Sequence, residues 1–117
     1  MNESHELYAS VNYIKHKVDA IEKIELLNLR SNKVLREEYI STFQSDPLLF
    51  QVYKAIDGVK AQKEIATAVN TTDMTVSNKI KKLSELGLTE IKDISNGMRI
   101  YKHSIAEQAF KLTGIKE

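Results

Sequence analysis

Lys63-Glu64-Ile65-Ala66-Thr67-Ala68-Val69-Asn70-Thr71-Thr72-Asp73-Met74-Thr75-Val76-Ser77-Asn78-Lys79-Ile80-Lys81-Lys82-Leu83-Ser84-Glu85-Leu86-Gly87-Leu88 is the stretch whose reading decides the fold. Glu64, Ile65, Ala66, Ala68 and Val69 put small and aliphatic side chains along one helical face, which lets a second helix cross closely. Asn70-Thr71-Thr72-Asp73 breaks that pattern: asparagine tolerates the left-handed backbone that ends a helix, and Thr72 or Asp73 can cap the next one. Val76, Ile80, Leu83 and Leu86 then recur at helical spacing, predicting a second helix with an inward apolar stripe, closed by Gly87.

The face away from that stripe carries Thr75, Asn78, Lys79 and Lys82, with Ser77 and Lys81 on its flanks. Short hydrogen-bonding groups at the start of a helix suit the edges of bases in a major groove. Lysines further along suit phosphates, which give affinity without sequence information. Taken alone, such lysines are the ordinary dress of a solvated surface. The helix-turn-helix spacing and the segment that follows shift the reading towards DNA.

That segment predicts a β-hairpin from Glu90 to His103. Ser95-Asn96-Gly97 suits a three-residue loop with Gly97 left-handed, which sets Ile94 opposite Met98, Asp93 opposite Arg99, Ile91 opposite Tyr101 and Glu90 opposite Lys102. A two-residue Asn96-Gly97 turn is the competing register and puts Ile94 against Arg99 and Asp93 against Ile100. Asn96 and Arg99 near the tip are candidate DNA contacts; for Arg99, an ion pair with Asp93 is the alternative.

Glu64-Ile65-Ala66, Thr75-Val76-Ser77, Ile80-Lys81-Lys82-Leu83, Glu85-Leu86-Gly87-Leu88 and the Asn96-Gly97 turn together resemble the winged helix-turn-helix of small prokaryotic transcriptional regulators, broadly ArsR-like and MarR-like. The resemblance runs from about Pro47 to Leu112. It implies that Thr75, Ser77 and Asn78 face bases while the hairpin, as a wing, touches backbone or minor groove. The chain departs from those groups in having no cysteine for thiolate metal sensing, no Asp-Glu-Arg wing signature and no long helices after the wing.

The N-terminal third is organised differently. Leu7, Val11, Ile14, Val18 and Ile21 alternate steps of four and three, the seam of a coiled coil, and are the candidate dimerisation residues. Ile24 and Leu27 follow after a three-residue step, which shifts the seam, and the helix is expected to end near Arg30. Ser31-Asn32 can cap a second helix with Leu35, Tyr39 and Phe43 on one face and Val34 and Ile40 beside it. Asp46-Pro47 opens a third helix that Gly58 is expected to close, and Ser104-Ile105-Ala106-Glu107 matches a capping box for a short last one. The expected organisation is a mostly α chain. Residues 1–46 form a helical extension for dimerisation, and residues 47–117 form a winged helix-turn-helix with a two-stranded β-wing.

Composition sets the outer limits. The chain has 117 residues, enough for one modest core and an extension. With no cysteine it has no disulfide or thiolate metal site, and the lack of a signal sequence or long apolar run points to a cytoplasmic protein without a membrane partner. Net charge is only +1 but uneven: residues 1–47 carry six basic against eight acidic side chains, residues 48–117 eleven against eight. Such a layout suits salt-sensitive but selective DNA binding. Catalysis finds no foothold. His5 and His16 stand about three turns apart on one helix, too far to share a metal, and no serine or threonine has a recognisable base partner. No cofactor or metal is expected. The predicted function is sequence-specific double-stranded DNA binding as a homodimer in transcriptional regulation; a winged module that docks a protein partner through its N-terminal helix is the alternative.

Overall fold

The computed structural model describes residues 19–115. Helix α1 runs over residues 19–31, and α2 (Lys33–Ser45), α3 (Pro47–Ala55), α4 (Gln62–Ala68) and α5 (Asp73–Glu85) follow. A hairpin of β1 (Thr89–Ser95) and β2 (Met98–His103) then leads into α6 (Ile105–Phe110) and a 3-10 turn (Leu112–Gly114). The architecture is helix-rich with a two-stranded antiparallel sheet near the C-terminus. No helix among the described residues is long and apolar enough to cross a membrane.

Each boundary has a local cause. Asn32 caps α2 by accepting from the Leu35 N–H at 3.1 Å, and Asp46 caps α3 by accepting from Leu49 at 3.1 Å, with Pro47 in the first turn. Thr72 caps α5 through its hydroxyl and the Thr75 N–H at 3.2 Å. Asn70 takes φ +57° in the turn before α5, and Gly87 takes φ +78° after it, where the Leu88 N–H reaches the Leu83 carbonyl at 2.9 Å. Helix α3 ends at Ala55, before Gly58, which instead occupies the following turn at φ +79°. The capping box expected at α6 is replaced: Ser104 caps Ala106, but Glu107 turns away to accept from the Tyr53 hydroxyl at 2.9 Å and from Thr113.

One core joins nearly every element. Leu49, Val52, Tyr53, Ile56, Ile65, Val76, Leu83, Leu88 and Leu112 are essentially sealed from water. Helix α2 belongs to this core through Tyr39 and Phe43; the Phe43 ring lies 4.9 Å from Phe50 and 5.1 Å from Tyr53, centroid to centroid. Tyr39 packs on Phe110, and its hydroxyl donates to the Leu86 carbonyl at 2.7 Å, while the Arg36 guanidinium donates to the Phe110 carbonyl. Val34, expected beside the core, is exposed. Burial and the neighbouring Glu107 push the Tyr53 hydroxyl far above its ordinary range, so it stays a donor at any physiological pH.

The hairpin follows both candidate registers in turn. At its tip Ser95 pairs with Met98, Ile94 with Arg99 and Asp93 with Ile100; at its base Ile91 pairs with Tyr101, Glu90 with Lys102 and Thr89 with His103. The tip is therefore the two-residue turn, which corrects the expected three-residue loop. Asn96 at φ +51° and Gly97 at φ +76° both adopt the left-handed backbone that such a turn needs and that matches strand twist. Lys92 is the extra residue that reconciles the halves as a bulge, and its ammonium donates to the Gly58 carbonyl at 2.9 Å. The far edge of β2 is bridged at Ile100 by Ala61, just before α4.

Leu83→Ala is expected to lower unfolding stability by about 2–5 kcal/mol, because its side chain is sealed in the core. Met74→Ala, at a side chain 75% exposed, is expected to change it by less than about 0.5 kcal/mol. Denaturant titration of the two variants checks the contrast.

Candidate functional site

Helix α5 is fixed in rotation by Val76, Ile80 and Leu83, which are buried against the core. At about 100° per residue, the directions furthest from that stripe belong to Met74, Asn78, Lys81 and the acidic Glu85. All four are exposed, as is Ser77 on the flank. Thr75 is half-buried, and its hydroxyl lies 2.9 Å from the capping hydroxyl of Thr72.

Lys79 stands elsewhere than expected. It sits about 60° from Val76 around the helix, beside the buried stripe rather than opposite it. Its ammonium reaches back to Asp46 Oδ2 at 2.8 Å, and its side chain keeps only 24% of its exposure. Lys82, one turn on, approaches the same oxygen at 3.5 Å and is 47% exposed. Of the three lysines predicted to meet phosphates, Lys81 alone has no ion pair among the described residues.

The hairpin tip returns to the start of α5. A groove of about 410 Å³ is walled by Lys63 and Gln62 from α4, Asp73 and Ser77 from α5, and Met98 and Arg99 from β2. Gln62 braces this corner by donating to the Asp73 carbonyl at 3.2 Å. Arg99 is exposed, and the register sets it opposite Ile94. No Asp93–Arg99 ion pair forms among the described residues; Asp93 instead accepts from the Ile94 N–H at 2.7 Å. Asn96 is exposed in the turn itself.

The groove thus brings together Ser77 and Arg99 from the expected set and adds Lys63 and Met98, which sequence reasoning passed over. Lys63 had a signal: it lies two residues before the buried Ile65, on the outer side of the first turn of α4. Met74 had one too, since helical spacing sets it opposite Val76, Ile80 and Leu83, whereas Met98 had only its place beside the turn. A second groove, about 720 Å³, runs between α1 and the base of the hairpin. Asp19, Glu22, Glu25 and Glu90 line it against Lys23 and Lys102, so its walls are unsuited to phosphate.

Of the dimerisation candidates, Leu7, Val11, Ile14 and Val18 lie outside the described residues. Ile21 is described and 61% exposed, and Ile24 and Leu27 extend an exposed apolar stripe along α1. Among the described residues no cluster of three or more histidine, cysteine or carboxylate side chains could hold a metal. His103 is engaged with the core, its Nε2 at 2.7 Å from the Tyr53 carbonyl and its ring 4.3 Å from that of Tyr53.

Asp46 carries the electrostatics of the α3–α5 contact. Burial by itself would raise its carboxyl, but the hydrogen bonds from Lys79 and the Leu49 N–H, with the charges of Lys79 and Lys82, prevail and hold it below the usual carboxylate value. A depressed native value stabilises the fold above the unfolded pKa, and that contribution is lost as pH falls through the native one. Asp57, held down by Lys60 and two backbone N–H groups, acts in the same direction. Asp46→Asn keeps an oxygen for the cap but cannot titrate, so its stability is expected to fall less steeply than wild type below about pH 4. Thermal melts across pH 2–7 measure the difference.

Comparison with family models, with curated proteins and with solved structures returns no match.

Proposed function

We propose that this chain is a winged helix-turn-helix protein that binds double-stranded DNA with sequence preference, as a homodimer, in transcriptional control. The observation that carries this reading is the shared groove in which Ser77 of α5 and Arg99 of the hairpin tip meet. A helix whose outward edge presents Ser77, Asn78 and Lys81 is the part that would lie in the major groove. The hairpin, acting as the wing, would set Arg99 and Asn96 on the adjoining backbone or minor groove, and Lys63 would take a phosphate on the near side. Thr75 contributes from a partly covered position. Lys79 and Lys82 enter this account through Asp46 rather than as free cations.

Dimerisation is assigned to the N-terminal helix through Leu7, Val11, Ile14, Val18 and Ile21. Support comes from the heptad spacing and from the exposed Ile21, Ile24 and Leu27. A two-fold pair would place two copies of α5 on successive turns of the duplex. The same stripe favours one other reading, a module that docks the helix of a different protein there.

Fluorescence anisotropy with a labelled mixed-sequence duplex, read across a salt series, separates these readings. Lys81→Ala is expected to weaken binding and to reduce the slope of log affinity against log salt by about 1. Asn78→Ala is expected to leave that slope unchanged while lowering discrimination among duplexes roughly 10- to 100-fold. Absence of binding by the wild-type chain would exclude the DNA reading and favour the docking module.

A further inference from the structure

We propose that Asp46 is an internal competitor for DNA phosphate, holding Lys79 and Lys82 of α5 and so limiting how tightly the protein grips a duplex. The inference rests on the DNA-binding reading and adds a residue, between α2 and α3, that would tune it.

The two carboxylate oxygens of Asp46 have separate work. Oδ1 accepts from the Leu49 N–H at 3.1 Å and caps α3. Oδ2 accepts from Lys79 at 2.8 Å and from Lys82 at 3.5 Å. Capping needs one neutral oxygen, and asparagine or serine supplies it about as well as aspartate. The charge on Oδ2 is therefore not required to start α3, and its described partners are the two lysines.

Those lysines lie three residues apart on α5, so one anionic oxygen reaches both. A lysine ammonium is a compact point charge that donates to a carboxylate or a phosphate oxygen on similar terms. Each contact to Asp46 must then be loosened before the lysine can serve a phosphate. The geometry grades that release. Lys82, at 3.5 Å and 47% exposed, leaves first; Lys79, at 2.8 Å and 24% exposed, is held more firmly. Lys81, exposed on the other side of the helix, needs no release. The wild-type helix accordingly presents fewer free cations to DNA than its sequence contains.

Asp46→Asn in the full chain tests this with anisotropy on a mixed-sequence duplex across a salt series. Binding at low salt is expected to tighten roughly tenfold, and the salt slope to steepen by about 1 to 2 as one or both lysines become available. Glu37→Gln removes the same charge from an exposed position on α2 and is expected to stay near wild type. Asp46→Ser, a second neutral cap, repeats the test if the asparagine variant folds poorly. Wild-type affinity and slope in both Asp46 variants, or an equal gain in Glu37→Gln, would overturn the inference while leaving DNA binding intact. Failure of the wild-type chain to bind any duplex would overturn both.

Discussion

Burial of Val76, Ile80 and Leu83 fixes which way α5 turns, and the rest of the candidate site depends on that rotation. Each of these side chains gains about 1.5–3 kcal/mol by leaving water, so a helix rotated by even one residue position would forfeit much of its attachment. The outward placement of Ser77, Asn78 and Lys81 is thus a by-product of core packing. The same rotation brings Lys79 beside α3, within reach of Asp46, where an outward-facing lysine would have stayed in solvent.

A second constraint comes from the hairpin. A two-residue turn at Asn96-Gly97 and good pairing at the base demand different registers, and the bulge at Lys92 lets both exist. The bulge also ties the hairpin to the loop before α4, through Lys92 and the Gly58 carbonyl, while Ala61 bridges Ile100 on the other strand. With the Gly58 N–H also donating to the Tyr101 carbonyl at 3.1 Å, the hairpin is held along its length, and Arg99 and Met98 are carried to the α4–α5 corner. A two-stranded ribbon alone is only marginally stable, so these tethers matter to its position.

Much of this was legible in the residues. The left-handed Asn70 and Gly87, the caps at Asn32, Asp46 and Thr72, and the stripe of Val76, Ile80 and Leu83 are local or periodic features, and local features are where sequence speaks plainly. What was illegible is tertiary. The attraction of Lys79 to Asp46 spans 33 residues, and that of Glu107 to Tyr53 spans 54; neither leaves a mark on its own stretch. Glu107 had a local role available in a capping box, but the Ser104 N–H it would have served donates to the Leu88 carbonyl at 2.9 Å, and the buried Tyr53 hydroxyl takes the carboxylate instead. The hairpin register went the other way for a similar reason: tidy charge pairs on an exposed ribbon weigh less than turn geometry.

The site that results is small, moderately basic and partly self-neutralised, which fits a reader that relies on base contacts more than on charge. Selection of the full chain against a random double-stranded DNA pool at two salt concentrations, followed by sequencing, tests this most directly. Enrichment of a two-fold symmetric motif that persists at the higher salt is the result expected of a dimeric reader using Ser77, Asn78 and the hairpin tip. A pool that returns without sequence enrichment at either salt would contradict the account.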